Sequence, residues 1–251
     1  MTPRAILTDL DGTLLEPDGT LSPEARQALA EAAAKGVPVV PITSKTAAEV
    51  AALLPQFSPS PGAGLENGGA VLRPDGTLVL SPQALPLAQL QELAAQLRRA
   101  TGVALATIFE LGEEELAQLT QLPPGALPAM RRRLATLPLV VERKHDQTLR
   151  QALSPPAQLV RGNRFLHLQG PHSKASVLPQ LLESIPGAGP LVALGDAPND
   201  VALLLAADVA VVVPGFHGPN PQLLAAVPGA RVAPLPHGRG WAAVVQELLA
   251  A

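Results

Sequence analysis

The residues best suited to chemistry stand where apolar runs end. Ala5 to Leu15 reads AILTDLDGTLL, an apolar run closed by Asp9 and Asp11 and followed by Gly12 and Thr13. Gly12 has access to backbone angles closed to other residues, so the chain can turn away and leave both carboxylates converging on one solvent-filled point. An Asx-type turn that merely closes a strand is the alternative. A second apolar run, VPVVPI, ends in Thr43, Ser44 and Lys45, and a third, Leu191 to Leu194, runs into Gly195, Asp196, Ala197, Pro198, Asn199 and Asp200. Helix capping accounts for only one of the aspartates at 196 and 200. The segment SKASVLPQLLES reads as a helix capped by Ser173 with Lys174 in its first turn. A lysine there opposes the helix dipole by a few tenths of a kcal/mol. Its charge and the free amides together favour an anion, and a local rule broken in this way marks a functional position. Read alone, a lysine at position 174 is more often a surface residue.

Strands and helices must carry these groups. Strands with so few polar residues are covered on both faces, as in parallel α/β sheets, where ligands bind outside the carboxyl ends. Between the first two runs, LSPEARQALAEAAAKG has Ser22 at an N-cap, Pro23 at the first helical position and Gly36 past the end. LENGGAVLRPDG reads as a turn at Asn67 to Gly69 entering a strand, with a hairpin turn at Pro74 to Gly76. From about Leu85 the strand-helix alternation breaks, and residues 83–169 are expected to form a second, α+β unit. Within it Leu127 to Leu134 reads as a basic helix; Arg131, Arg132 and Arg133 are consecutive, cannot share one helical face and are expected to be solvated. LVRGNRFLHLQG reads as two strands joined at Gly162 and Asn163, with Arg164 and Leu166 on one face and Phe165 and His167 on the other. The first pattern resumes at Pro171, with a strand at Val209 to Val213 and a closing helix from Arg239 to Ala251 anchored by Trp241.

With 251 residues and 47% hydrophobic content, the chain can bury a large core. A net charge of -3 gives no electrostatic case for a nucleic-acid partner, and the absence of cysteine excludes both disulfides and thiolate metal sites. No apolar run reaches the roughly 18 residues of a membrane span. The apolar strand begins after four residues, so a cytoplasmic, membrane-free enzyme is the expectation.

DLDGT after an apolar strand, Thr43, Lys174 and GDAPND occur in the order of the motifs of the haloacid dehalogenase superfamily of phosphatases, which the chain resembles. The resemblance implies a Rossmann-like parallel-sheet core over 1–82 and 170–251 and an inserted α+β cap over 83–169 that closes on the carboxyl edge and sets specificity. It implies an aspartyl-phosphate mechanism. Asp9 is the nucleophile, Asp11 the general acid and base, and Thr43 and Lys174 hold phosphate oxygens. Mg²⁺ is implied on Asp9, the carbonyl of Asp11 and Asp196, with Asp200 orienting the shell.

Within the superfamily, TSKT at 43–46, ENGG at 66–69, GNRFLHL at 162–168 and GDAPND at 195–200 are most similar to the mannosyl-3-phosphoglycerate phosphatases. Their substrate is a small phosphorylated sugar, on the route to a compatible solute. Arg143, Asp146 and Thr148 are shared with that group, whereas Lys144, His145 and Gln147 stand where it commonly has Glu, Tyr and Glu. Ser44, Glu66, Asn67 and Asn199 are expected near substrate, and Arg143 and Arg164, with Lys144 and His167 beside them, are the candidates to read a carboxylate. Another sugar-phosphate phosphatase, a phosphomutase with the same core, and a non-catalytic sugar-phosphate-binding module are the alternatives. Phosphate release separates hydrolase from mutase, and the presence of both Asp9 and Asp11 disfavours the binding module.

Overall fold

Alternation of inward and outward residues is strict along the central strands of the computed structural model, which describes residues 2–57 and 62–250. In β1 (Ala5–Thr8), Ile6 packs into one apolar layer while Ala5 and Leu7 pack into another. That is the period-two signature of a strand covered on both faces. Helix α1 (Pro23–Ala34) follows, its first turn closed by the Ser22 hydroxyl, which accepts from the amide of Ala25 at 3.0 Å. Next come β2 (Val39–Pro41) and the single-turn α2 (Ala47–Val50), fixed by a reciprocal capping pair between Thr46 and Glu49. An antiparallel flap of β3 (Ala63–Leu65), β4 (Ala70–Leu72) and β5 (Leu78–Leu80) turns at Gly76, whose φ is 84°.

The middle of the chain builds a separate antiparallel sheet. Its elements are α3 (Leu87–Thr101), β6 (Ala106–Thr107), α4 (Glu113–Thr120), α5 (Leu127–Met130), β7 (Thr136–Val140), α6 (Asp146–Ala152), β8 (Gln158–Arg161) and β9 (Leu166–Gln169). The sheet order is β6-β7-β9-β8, with leucines of α3, α6, β7, β8 and β9 in one apolar cluster. The helix expected through the three arginines stops at Met130, and the chain then passes through a turn and two bends to β7. Arg132 is the exposed one; Arg131 and Arg133 turn inward and donate to main-chain carbonyls, so the expected solvated face does not form. Arg164 and Phe165 lie in the connection between β8 and β9, so they do not take the strand faces expected of them.

The return to the first sheet begins with a 3-10 turn at Lys174–Val177 leading into α7 (Leu178–Leu182). A continuous helix was expected here; Pro179 has no N–H to offer the carbonyl of Ala175, so the first turn closes with shorter-range bonds. Then follow β10 (Leu191–Gly195), α8 (Val201–Leu205), β11 (Val209–Val212), α9 (Pro221–Ala226), β12 (Arg231–Val232) and α10 (His237–Ala250), while residue 251 of the expected closing helix lies outside the described residues. The parallel sheet has the order β12-β11-β10-β1-β2. The fold is thus α/β, a parallel-sheet core with an inserted α+β cap. The fully buried Trp241 of α10 donates from its indole nitrogen to the Thr8 hydroxyl at 2.9 Å, which ties the last helix to the strand that delivers Asp9.

Candidate active site

The adjacent central strands β1 and β10 end side by side, which brings Asp9 to Asp196 and Asp200. One carboxylate oxygen from each lies within 4.8 Å of the others. Lys174 is fully buried among them, its Nζ 2.6 Å from Asp9 Oδ1 and 2.6 Å from Asp200 Oδ1. The other oxygen of Asp200 accepts the amides of Asp196 and Ala197, both at 3.0 Å, which fixes the turn after β10. The Thr13 hydroxyl donates to Asp196 Oδ1 at 2.9 Å. Gly12, with φ of 85°, packs so tightly against the Asp196 carboxylate that a Cβ would stand 2.4 Å from Oδ2.

Charge is unbalanced in this cluster. Burial raises the Asp9 carboxyl to about 7 despite the pull of Lys174, with Asp200 and Asp11 adding to the rise. Burial, then Asp9 and Asp200, push Asp196 well above the ordinary carboxylate range. Lys174 goes the other way: burial lowers it, but the charges of Asp200 and Asp9 win and raise it above its usual value. Three carboxylates against one ammonium, in a buried and all-oxygen setting, suit a hard divalent cation. Asp9 and Asp196 could hold one, whereas Asp200 is already spent on Lys174 and two amides.

Asp11 faces elsewhere. Its Oδ2 lies 2.8 Å from Lys45 Nζ, and although burial pushes the carboxyl up, the charge and hydrogen bond of Lys45 bring it below its ordinary value. The side chain therefore leaves the acidic cluster to the others, and only its main-chain carbonyl turns towards Asn163, whose Nδ2 is 3.5 Å away. Asn163, at the tip of the β8–β9 connection, also donates to Asp196 Oδ2. A cap residue thus touches the acidic cluster directly.

Asp9, Asp11, Ser44, Asn199, Arg164 and His167 line one cavity between the parallel sheet and the cap sheet, with Lys45, Glu49, Arg133, Asn163 and His237. His167 is fully enclosed, its Nδ1 has no partner among the described residues, and burial followed by the charge of Arg133 lowers it well below its usual value. Arg164 donates to the carbonyl of Pro17 at 3.1 Å. Thr43 is fully buried at the end of β2, its hydroxyl accepting from the amide of Lys45 at 3.2 Å.

Other expected contacts lie away from the cavity lining. Glu66, buried, accepts the amides of Leu134, Ala135 and Thr136 and the Thr136 hydroxyl, at 2.9 to 3.0 Å. Both of its oxygens are committed to the start of β7. Asn67 takes a left-handed φ of 57°, donates to Gln169 at 3.0 Å and accepts from Asn199 at 3.1 Å. These two residues join core to cap. Arg143 is exposed and donates to the carbonyl of Asn163 at 3.2 Å, while Lys144 pairs with Glu142 at the surface.

Lys45, Glu49, Arg133 and Asn163 carry no functional expectation from sequence. Lys45 had the best signal, being flanked by Thr43 and Thr46 at a strand end. Asn163 reads only as turn chemistry, and Arg133 is hidden by its two arginine neighbours.

Residues 6–116 match the haloacid dehalogenase-like hydrolase family. Over that stretch, less than half of its length, the chain is similar to these hydrolases. The chain is 27% identical, over 97% of its length and 96% of the relative's, to the glucosyl-3-phosphoglycerate/mannosyl-3-phosphoglycerate phosphatase of Persephonella marina. It is 29% identical to the mannosyl-3-phosphoglycerate phosphatase of Aeropyrum pernix, over 79% of each chain. Its fold is similar to that of the HAD subclass IIB sugar phosphatase BT4131, with a TM-score of 0.72 and 16% identity over 97% of this chain and 98% of the other. It is equally similar to the phosphatase BT1666 of Bacteroides thetaiotaomicron, with a TM-score of 0.73 and 21% identity over 98% and 95%. No helix among the described residues is long and apolar enough to cross a membrane.

Proposed function

We propose that this phosphoric monoester hydrolase releases phosphate from a sugar-linked phosphoglycerate, mannosyl- or glucosyl-3-phosphoglycerate, using Mg²⁺ and an aspartyl phosphate formed on Asp9. The observation that carries the reading is the buried cluster in which Lys174 stands 2.6 Å from Asp9 while the carboxylates of Asp196 and Asp200 close the other side. The names of the relatives carry the substrate.

Asp9, held by Lys174, attacks phosphorus in line; the ester P–O bond breaks and its electrons go to the leaving oxygen. Asp11 gives that oxygen a proton, then takes one from the water that cleaves the acyl phosphate. The Lys45 ion pair favours the carboxylate form of Asp11, which the second step requires. The negative charge of a bound phosphate favours the protonated form, which the first step requires. Mg²⁺, when bound, neutralises the charge that otherwise repels one anion from the other. Lys174 and the hydroxyl of Thr43 are assigned to the phosphate oxygens, and Arg164 and His167 to the leaving group.

Phosphate release with Mg²⁺ is the test, across mannosyl-3-phosphoglycerate, glucosyl-3-phosphoglycerate, sucrose 6-phosphate and hexose phosphates. The phosphoglycerates are expected to give the highest kcat/KM. A simple hexose phosphate turned over ten times better than either overturns the substrate assignment.

A further inference from the structure

A buried cation beside Asp11 is unexpected if the leaving alcohol is neutral. Lys45 is 7% exposed and lines the cavity. Of its three protons one goes to Asp11, 2.8 Å away, and the next carboxylate, Glu49 Oε1, is at 3.9 Å, beyond hydrogen-bonding reach. Two donors remain unspent among the described residues. On the other side of Glu49, Arg133 Nη2 lies 3.6 Å from Oε2, so two cations flank one carboxylate at the cavity wall.

Glu49 is itself anchored. Its Oε2 accepts the amide of Thr46 at 2.8 Å as part of the α2 cap. Arg133 is pinned through Nε and Nη1 to the carbonyls of Met130 and Ser44 and to the Thr136 hydroxyl, and its Nη2 faces Glu49 Oε2 at 3.6 Å, outside hydrogen-bonding distance. Removing two charges from water is costly, and orienting one carboxylate needs only a neutral donor. An anion arriving from the cavity, which Lys45 and Arg133 both line, would use the unspent donors beside Glu49 and offset that cost.

We propose that Lys45 and Arg133 together bind a carboxylate carried by the leaving alcohol, beside the bond that is cut. This rests on the reading of Asp9 and Asp11 as nucleophile and proton carrier. With Asp11 at the ester oxygen, a group one hydrogen bond further on meets substituents close to that oxygen along a short carbon chain, which is where phosphoglycerate bears its carboxylate. Lys45 comes from the core and Arg133 from the cap, and Arg133 Nη1 donates to the carbonyl of Ser44 at 2.8 Å, so the reader is complete only with the cap seated.

The test compares phosphate release, with Mg²⁺, from 3-phosphoglycerate and from glycerol 3-phosphate, which has a hydroxymethyl group in place of the carboxylate. The parent is expected to favour 3-phosphoglycerate in kcat/KM. Lys45→Met and Arg133→Met should each lower that preference at least tenfold, through KM for 3-phosphoglycerate, while Lys45→Arg keeps most of it. Melting curves establish that each variant is folded, and Lys45→Gln replaces the methionine variant where it is not. A preference unchanged in the variants overturns the proposal. So does an equal loss on both substrates, which would make the pair a support for Asp11 and the cap, and so does a parent without preference. Failure of the parent on both compounds and on p-nitrophenyl phosphate instead overturns the phosphatase reading beneath it.

Discussion

Replacing Glu66 by Gln separates a joint between core and cap from a substrate contact. In the structure Oε1 accepts the amide of Leu134, and Oε2 accepts two amides and one hydroxyl from Ala135 and Thr136. An amide keeps one acceptor. Placed at Oε2, it retains three neutral bonds and turns its NH₂ towards the Leu134 N–H, leaving a donor against a donor. Leaving a buried donor unsatisfied costs about 1 to 3 kcal/mol, and the three retained bonds lose the added strength of a charged acceptor, about 0.5 kcal/mol or more each. The sum is roughly 3 to 5 kcal/mol, concentrated at the start of β7. Hydrogen exchange reads it locally: the amides of Leu134, Ala135 and Thr136 are expected to exchange on the order of 100-fold faster or more in Glu66→Gln. A variant whose exchange at these positions matches the parent, but whose KM rises, refutes the joint and returns Glu66 to the substrate.

Burial raises the Asp9 carboxyl from its ordinary value of 3.8 to about 7 in the folded protein, so between those pH values the native state holds a proton that the unfolded chain has released. Metal-free stability is therefore expected to fall as pH rises from about 4 to about 7, and to fall less in Asp9→Asn; parallel melting-temperature curves for the two proteins across that range refute this. Asn163→Ala frees the Asp196 carboxylate and the Asp11 carbonyl from a cap amide, so calorimetry is expected to show Mg²⁺ binding severalfold tighter, and unchanged or weaker binding contradicts the competition. Arg164 lines the cavity and Lys144 does not, so Arg164→Ala is expected to raise KM for a phosphoglycerate on the order of tenfold while Lys144→Ala leaves it unchanged; equal effects contradict that placement.

The core was legible because its chemistry sits where apolar strands stop. DLDGT and GDAPND announce themselves by charge at the end of a buried run, and in the structure β1 and β10 are neighbours that carry Asp9 to Asp196 and Asp200. Lys174 was visible as a lysine at the wrong end of a helix. The cap was harder to read because its decisive residues obey local rules. Asn163 is a good turn residue and also a donor to Asp196, and nothing in the turn signal distinguishes the two. Arg133 belongs to a run of three consecutive arginines, which cannot share one face of a helix and so suggest a solvated surface, but the helix ends at Met130 and the side chain folds back to the carbonyl of Ser44, a contact 89 positions away in sequence. Glu66 and Asn67 were noticed for their sequence, yet their carboxylate and amide are taken up by core-cap contacts that only the folded chain brings into reach.

The most direct measurement concerns Asp9. The protein is quenched in acid during turnover of p-nitrophenyl phosphate with Mg²⁺, digested, and its peptides are mapped by mass. The phosphoryl group is expected on the peptide carrying Asp9, with none in Asp9→Asn and no phosphate release by that folded variant. A phosphoryl group on another residue, or release by Asp9→Asn at the parent rate, contradicts the assignment of Asp9 as the nucleophile.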